Sequence, residues 1–237
     1  GNDAANSVAI AVSGSKQAFA DRMNQKAREL GMENTHFVTP SGLDDEEHYS
    51  TARDMAILAC HALENEEFAA IVSQPTIRVT YQSPDQSYVL TNHNKLLRMY
   101  EGCIGVKTGF TKKAGRCLVS AAERDGVRLI AVTLNAPDDW NDHMAMFEYG
   151  FSQMSVFTPD ESAYRLPIAV VGGEASSVSV RGETGEAVNL LKKEEDSLIR
   201  KVELPRFVYA GVEKGQILIL FFFFGLNKIC HYEIDIS

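Results

Sequence analysis

The chain has 237 residues, 45% of them hydrophobic, which is enough apolar content to bury the core of one large domain or two modest ones. Its formal net charge of -9 argues against nucleic acid or an anionic membrane as a partner of the surface as a whole, because such contacts depend on clustered Lys and Arg. The longest apolar run, 217–224, falls far short of the roughly 20 residues of a membrane-spanning helix, so no transmembrane segment is predicted.

The first thirty residues predict two helices. Asn2 and Asp3 favour a helix start, and the small, mostly apolar run that follows to Val12 is typical of a helix buried on nearly all sides. Gly14 should end that helix. The spacing of apolar residues predicts a second helix over 16–30, stopped by Gly31. Its inward side chains should be Phe19, Met23, the stem of Lys26 and Leu30.

Residues 32–50 show no periodicity and are rich in turn residues, so a loop is predicted. Its acidic cluster at 44–47 lacks the spacing of a metal cage such as the EF-hand. That absence favours a solvated acidic loop, and no metal site is expected. Thr51 and Asp54 then form a capping pattern for a helix that runs to about Leu63.

Turn chemistry and strand-compatible residues predict the next elements, with Asp125-Gly126 as a tight turn between two strands. In chain order these elements are a helix at 66–72, hairpin strands at 77–81 and 88–90, a three-stranded antiparallel meander between 104 and 134, and a helix over 140–154 that covers one face of the meander.

The stretch 102–119 is the most informative part of the sequence. Two strand-compatible runs flank a polar turn closed by Gly115, so 116–122 should fold back on the strand that ends at Lys107-Thr108-Gly109. A Lys ammonium and a Thr hydroxyl at a strand end suit an anionic group, and Gly109 allows another backbone to approach. In isolation, a tripeptide of this kind is more often part of a solvated surface strand.

The four cysteines have no C-x-x-C spacing and so give no zinc or redox signal. They are Cys60, Cys103, Cys117 and Cys230. If the hairpin turn centres on Lys112 and Lys113, Cys117 lies opposite about Lys107 or Thr108, too far from Cys103 for a disulfide. All four are predicted to be buried free thiols.

From Ser155 onward, short strand-like pieces alternate with Gly and charged turns, a pattern typical of a small β-sandwich. The sequence therefore predicts two domains, residues 1–155 and 156–237. The run Phe221 to Phe224 breaks the alternation of a half-exposed strand. A strand buried on both faces is favoured over an exposed patch for a membrane or a partner. The strand-like pieces are 163–166, 169–171, 177–180, 198–203, 216–224 and 231–236.

Three stretches, in the same order, resemble the low-molecular-mass D-alanyl-D-alanine carboxypeptidases, which are penicillin-binding proteins. Gly1-Asn2-Asp3-Ala4-Ala5 is similar to the end of their Ser-Gly-Asn motif, and 41–56 is similar to a middle segment. The third stretch, K-T-G-F-T-x-x-A-G-x-C-L-V from Lys107, is similar to their Lys-Thr-Gly strand. The resemblance implies an α+β fold. A partial penicillin-binding-protein or β-lactamase-like transpeptidase domain, with an antiparallel sheet and helices, would precede the small β-sandwich.

The resemblance also implies a site. As a catalytic group, Asn2 would orient the substrate amide. Lys107 would pair with the terminal carboxylate of the substrate. Thr108 and Gly109 would bind the substrate along the strand edge and help to hold the oxyanion, with Thr111 as a neighbouring contact.

A family member would be a serine-type hydrolase that removes the terminal D-alanine from peptidoglycan stem peptides through an acyl-enzyme. The resemblance implies the peptidoglycan pentapeptide and β-lactam antibiotics as partners, and no cofactor. It further implies an extracytoplasmic location, at the cell wall or the outer face of the cytoplasmic membrane. A role in cell shape and peripheral membrane association of the full-length protein would follow from membership of the family.

The sequence departs from the family pattern at two places. The nucleophilic Ser-x-x-Lys should precede the Asn2 motif, but the one match, Ser13 to Lys16, follows it and is interpreted as chance. The loop 136–141, after the third strand of the meander, is acidic where the family has a cationic partner. The chain is therefore interpreted as the C-terminal part of a carboxypeptidase, inactive by itself.

Two other functions fit part of the same sequence pattern. A non-catalytic cell-wall-binding or scaffold module on the same fold is an open alternative, although such a module should have polar residues over 4–12, where this sequence is small and apolar. A β-lactamase is disfavoured, because the sequence has an appended β-rich region and no identifiable deacylating base.

Overall fold

A computed structural model describes residues 1–82, 85–211, 220–225 and 228–232. The chain divides into two compact units. The first contains residues 1–124 and 128–151, and the second contains Asp125–Val127 together with the chain from Ser152. The assignment of residues 1–155 and 156–237 to two domain types stays a prediction.

The first 153 residues confirm the predicted helices, hairpins and meander to within a few residues, with one additional short helix, α5. The elements are α1 (Asn2–Ser13), α2 (Lys16–Glu29), α3 (Ala52–Ala62), α4 (Glu66–Val72), β1 (Thr76–Gln82), β2 (Asp85–Thr91), α5 (Leu96–Met99), β3 (Cys103–Thr111), β4 (Gly115–Arg124), β5 (Val127–Thr133) and α6 (Asp139–Gln153).

The central sheet has the strand order β3-β4-β5 and is covered on both faces. Successive side chains of a strand point to opposite faces, and β4 buries both sets. Leu118 packs with Phe147 of α6, whereas Val119 packs with Ala59 of α3. Because β3 pairs with β4 along its whole length, this core also fixes the strand that carries Lys-Thr-Gly.

The start of α3 confirms the predicted cap. Thr51 Oγ1 accepts a hydrogen bond from the backbone N–H of Asp54 at 3.1 Å. The buried carboxylate of Asp54 in turn accepts hydrogen bonds from Thr35 Oγ1 at 2.7 Å and from the N–H of Asn34 at 2.8 Å. The hydrogen bond from Thr35 holds the pKa of Asp54 below its ordinary value. The capping helix turn therefore also anchors the acidic loop that precedes it.

The turns of the meander set the strand register. Asp125 and Gly126 both have positive φ, 51° and 76°, as a type I′ hairpin turn requires. Between β3 and β4 the turn has three residues, 112–114, so Cys117 lies opposite Gly109. The predicted partner, Lys107 or Thr108, was wrong because the prediction assumed a turn centred on two residues.

The prediction that the first helix is buried on nearly all sides was wrong. Ala9 is the buried residue of α1, whereas Val8, Ile10 and Val12 are 57%, 48% and 51% exposed. The element of the described chain that packs most extensively on α1 is α2. One neighbouring helix covers one stripe of a helix and leaves the opposite side open.

The inward face of α2 also differs from the prediction. Ala20 and Ala27 are buried, whereas Phe19, Met23 and Leu30 are half-buried. Lys26, whose stem was expected to be inward, is exposed and pairs with Glu29 at 2.9 Å. The helix thus packs through its small residues, next to the larger ones that the periodicity selected.

The cysteines are less buried than predicted. Cys60 is exposed, and Cys103 and Cys117 are half-buried, all three as free thiols. Cys60 follows the buried Ala59, and adjacent helical positions point in different directions, so it faces outward. Burial raises the pKa of the Cys103 thiol. The side chain of Cys230 lies outside the described part of the chain.

The described residues of the second unit form mainly short strands, in small sheets ordered β6-β9, β11-β7-β8 and β10-β12-β13. Ile168 and Val180 form its buried centre. Its elements are β6 (Met154–Phe157), β7 (Arg165–Val171), β8 (Ser177–Arg181), β9 (Val188–Leu191), α7 (Lys192–Glu195), β10 (Ile199–Glu203), β11 (Phe207–Tyr209), β12 (Leu220–Gly225) and β13 (Lys228–Tyr232). The sandwich assignment stays a prediction.

The run Phe221 to Phe224 lies in β12, the middle strand of its sheet, and the burial of its side chains lies outside what the structure describes. Within the described ranges, no helix combines the length and apolar character that crossing a membrane requires.

Candidate active site

The Lys-Thr-Gly sequence lies on β3, an outer strand of the central sheet. The ammonium of Lys107 donates a hydrogen bond to the carbonyl oxygen of Thr108, which holds the side chain against its own strand. Although Lys107 has solvent access, the protein atoms around its ammonium desolvate it and lower its pKa. Among the described residues no carboxylate pairs with Lys107, so its cation is available to an anionic ligand.

A cavity of about 650 Å³ opens beside this strand. It brings together Lys107, Thr108 and Gly109, three of the predicted substrate-binding residues. The other charged residues of its lining are Lys95, Arg98, Arg116 and Asp139, with Trp140 beside them. Four basic side chains against one acidic side chain give the cavity a positive potential, which favours an anionic ligand.

Arg116 is a cation of this cavity that the sequence analysis missed. Its Nη2 donates a hydrogen bond to Asp139 Oδ1 at 2.7 Å, and its guanidinium lies over the Trp140 ring, 5.3 Å from the centroid. Asp139 belongs to the acidic loop that lacks the cation expected from the family. The alternation of β4 places Arg116 on the α6 face, but no sequence pattern joins it to a residue 23 positions later.

The segment before β3 is fastened by two asparagines. The amide of the fully buried Asn94 donates to the Gly105 carbonyl at 2.9 Å, and its Oδ1 accepts from the N–H of Leu96 at 3.1 Å. Asn92 Oδ1 accepts from the N–H of Asn94 at 2.9 Å. These bonds tie the wall of the cavity that contains Asn92 and Lys95 to the strand that carries Lys107.

A family model described as D-alanyl-D-alanine carboxypeptidase matches residues 1–138, more than half of the chain. The chain belongs to this family. It is 34% identical over 230 residues to the D-alanyl-D-alanine carboxypeptidase DacF of Bacillus subtilis, covering 91% of this chain and 57% of the relative. It is 36% identical over 160 residues to DacB2 of Mycobacterium tuberculosis, covering 64% of this chain and 54% of the relative. The chain thus spans somewhat more than half the length of these relatives.

Solved structures of the family share the fold. Penicillin binding protein 5 from Haemophilus influenzae matches all of this chain with a TM-score of 0.65 at 28% identity, over 70% of its own length. A D-alanyl-D-alanine carboxypeptidase from Mycobacterium tuberculosis H37Rv matches 64% of this chain with a TM-score of 0.59 at 34% identity, over 60% of its own length. The predicted family and the α+β fold class are confirmed.

Two residues predicted for the carboxypeptidase site lie outside the lining of the cavity. Asn2 is the exposed first residue of α1. Thr111 Oγ1 donates to Asp44 Oδ1 at 2.8 Å and accepts from the N–H of Ala114 at 2.9 Å, so it links the hairpin turn to the acidic loop. Their roles toward a substrate stay predictions.

The one Ser-x-x-Lys match is also separate from the cavity lining. Ser13 ends α1, and Lys16 begins α2 beyond the left-handed Gly14. Arg22 Nη1 lies 3.4 Å from the Ser13 hydroxyl oxygen. The match therefore spans a junction between two helices.

A second polar cluster is centred on the fully buried His143. The Ser120 hydroxyl hydrogen-bonds Nδ1 of His143, and the Thr133 hydroxyl bonds Nε2 at 2.9 Å. Burial lowers the pKa of His143 to about 4, against the opposing effect of nearby Asp139, so the imidazole is neutral near pH 7. A Ser–His pair can form a nucleophile, but Ser120 and His143 are both fully buried, and the cluster connects β4, β5 and α6.

Proposed function

We propose that this chain carries the substrate-positioning part of a serine-type D-Ala-D-Ala carboxypeptidase that trims the terminal D-alanine from peptidoglycan stem peptides. The observation that carries the proposal is the Lys-Thr-Gly strand, which opens into a cavity where basic side chains outnumber acidic ones. A peptide that ends in a free carboxylate is complementary to that charge.

Each part of the strand has a task in this proposal. Lys107 pairs with the terminal carboxylate, and the Thr108 hydroxyl donates to it. Within the described sheet, β3 has a strand partner on one side, so the peptide can add along its other edge. Backbone N–H groups near Gly109 stabilise the oxyanion that forms at the scissile carbonyl.

The reaction itself needs a nucleophile. In the acyl-enzyme route, a serine Oγ attacks the carbonyl carbon of the penultimate D-alanine, the C–N bond breaks, and terminal D-alanine leaves with a proton on its amine. Water then hydrolyses the serine ester. We place that serine in a Ser-x-x-Lys segment that precedes Asn2 in the full-length protein, where Asn2 orients the substrate amide. This chain alone is then inactive, because the covalent step lacks its nucleophile.

The substrate sets the remaining partners and the location. Peptidoglycan pentapeptide is the substrate, and β-lactams acylate the same serine as substrate mimics. The protein would act outside the cytoplasm, at the cell wall or the outer face of the cytoplasmic membrane, and would influence cell shape through wall trimming.

The test is intact-protein mass spectrometry after incubation with a penicillin. It compares this chain with a longer form of the protein that carries an upstream Ser-x-x-Lys segment. An adduct on the longer form alone supports the proposal. An adduct on neither form contradicts the enzyme and favours a non-catalytic wall-binding module. An adduct on this chain, lost in Ser13→Ala, would make Ser13 the reactive serine and overturn the placement of the nucleophile.

A further inference from the structure

We infer that Arg116 is a second carboxylate-binding cation of the cavity, which acts with Lys107 and Thr108 to select peptides that end in a free carboxylate. The inference rests on the proposed function and deepens it. It assigns a specificity-determining role to a residue of β4, outside the Lys-Thr-Gly motif.

The register of the hairpin places Arg116 close to Thr108. Thr108 lies opposite Leu118, and Arg116 is two residues from Leu118 on the same strand. Residues two apart on a strand share a face, so Thr108 and Arg116 are diagonal neighbours on one face of the hairpin. Such neighbours are about 7–8 Å apart, within reach of a long side chain.

Lys107 starts on the opposite face of β3 but reaches toward the same place. Its ammonium bonds the carbonyl oxygen of Thr108, so the charge lies at the strand position next to its own. Lys107, Thr108 and Arg116 all line the one cavity. Two cations and a hydroxyl donor around one space match the two oxygens of a carboxylate, which accept several hydrogen bonds at once.

Arg116 is held in place by neighbouring side chains and still has unused hydrogen-bond donors. Asp139 engages its Nη2, and the Trp140 ring supports the guanidinium from one side. Its Nε is buried and has no hydrogen-bond partner among the described residues. A guanidinium carries five N–H donors, and among the described residues only Nη2 has a hydrogen-bond partner, so further donors remain for a ligand. A cation already fixed in position loses little conformational entropy when a ligand binds.

Asp139 does not neutralise the charge that Arg116 presents to the cavity. The Asp139 side chain is 4% exposed, whereas the Arg116 side chain is 40% exposed. A ligand therefore meets the guanidinium, with the carboxylate behind it. Lys107 adds a further positive charge, which leaves the site cationic even when Arg116 and Asp139 are counted as a neutral pair.

The experiment is an NMR titration of the ¹⁵N-labelled chain with two peptides. One is a short peptide that ends in D-Ala-D-Ala with a free carboxylate, and the other is the same peptide with a terminal carboxamide. The amide signals of Thr108 and Gly109 report on binding at the strand. Trp140 is the single tryptophan, so its indole signal reports on the wall beside Arg116.

Three variants test the role of Arg116. Arg116→Gln removes the cation, and Arg116→Gln with Asp139→Asn removes the cation without leaving a buried unpaired carboxylate. Arg128→Gln is the matched control, an exposed arginine of β5 that pairs with Glu123 at 2.8 Å and lies outside the cavity lining. We expect the first two variants to bind the carboxylate peptide about 10- to 100-fold more weakly, the usual effect of a charge-assisted hydrogen bond. Their affinity for the carboxamide, and the affinity of the control for both peptides, should not change.

The outcomes separate the inference from the proposed function. Unchanged affinity of the folded double variant for the carboxylate peptide, with normal binding by the unmodified chain, overturns the role of Arg116 alone. Equal weakening toward both peptides also overturns it, because a general loss of binding shows no selection of the carboxylate. If neither peptide shifts the Thr108 and Gly109 signals of the unmodified chain, the proposed substrate-binding role fails, and the inference fails with it.

Discussion

Two polar clusters lie on the same face of β4, and they use their polarity in opposite ways. Ser120 meets His143 in the sealed core, and Arg116 meets Asp139 at the edge of the cavity. Each pair joins β4 to α6. Arg116 and Ser120 are four residues apart on β4, and Asp139 and His143 are four residues apart on α6. The same two elements therefore build one cluster that excludes a ligand and one that is open to it.

The difference follows from access to water. A charge in the sealed position would cost several kcal/mol without a partner, and burial accordingly keeps His143 neutral. Its two ring nitrogens are both bonded to hydroxyls, so nothing is left for a ligand. Solvent reaches Arg116, and its guanidinium retains donors that none of the described residues uses. Polar groups whose hydrogen bonds are all satisfied within the protein stabilise the fold, whereas groups at a cavity with unused donors can bind a ligand.

The largest expected effect comes from breaking the sealed cluster. His143→Leu replaces the imidazole with an apolar side chain that can fill the core, but it leaves the Ser120 and Thr133 hydroxyls without their partner. We expect a loss of about 2–4 kcal/mol in the free energy of unfolding, because the fully buried Ser120 hydroxyl and the half-buried Thr133 hydroxyl are left unsatisfied. Urea denaturation of the purified chain measures it.

Two further variants define the control. His61→Leu changes an exposed histidine of α3 that pairs with Glu64, and should alter the free energy of unfolding by less than about 0.5 kcal/mol. Adding Ser120→Ala and Thr133→Val to His143→Leu removes the unsatisfied hydroxyls and should recover much of the loss. A triple variant no more stable than His143→Leu alone would show that packing, and not hydrogen bonding, makes the cluster important.

The next effect is a loss of stability in mild acid. A histidine of an unfolded chain titrates near pH 6.5, whereas the pKa of folded His143 is about 4. Between these values the unfolded state binds more protons, so stability falls as the pH decreases through that window and is unaffected above it. The full difference is on the order of 3 kcal/mol.

The measurement is the free energy of unfolding of the chain from pH 7.5 to pH 4, compared with His143→Gln, whose amide does not titrate. The difference between the two curves isolates His143. Burial also lowers the pKa of His48, so both proteins should retain a shallower dependence of the same sign. Parallel curves for the two proteins would show that His143 does not titrate differently in the folded state.

The contrast between the clusters also shows what the sequence could predict. Local signals were sufficient for the hairpin, because Gly115 and Asp125-Gly126 dictate their turns. They were sufficient for the cap at Thr51 as well, since the capping pattern lies within four residues. Lys107 and Thr108 were found because their neighbours in sequence form a motif.

The Arg116 site could not be found in that way. Its partners Asp139 and Trp140 come from the far end of the meander, and only the fold brings them to β4. The loop 136–141 is acidic in the sequence, and only the structure shows that Arg116 of β4 pairs with its Asp139. The burial of α1 was also mispredicted, because composition indicates which residues can be buried and not which elements cover them.

The smallest expected effect is the difference in stability between removing Arg116 and removing Asp139, the pair at the edge of the cavity. Arg116→Gln leaves the nearly fully buried carboxylate of Asp139 without its cation, whereas Asp139→Asn leaves a guanidinium that water can reach. We expect a loss of about 2 kcal/mol for Arg116→Gln and of less than about 1 kcal/mol for Asp139→Asn, because an unpaired charge costs more where it is buried. The double variant should then be more stable than Arg116→Gln alone, since it removes the stranded charge. Urea denaturation of the three variants measures these differences. Equal losses in the two single variants would contradict this expectation. They would mean that the difference in exposure between Arg116 and Asp139 does not decide the cost of leaving either one unpaired.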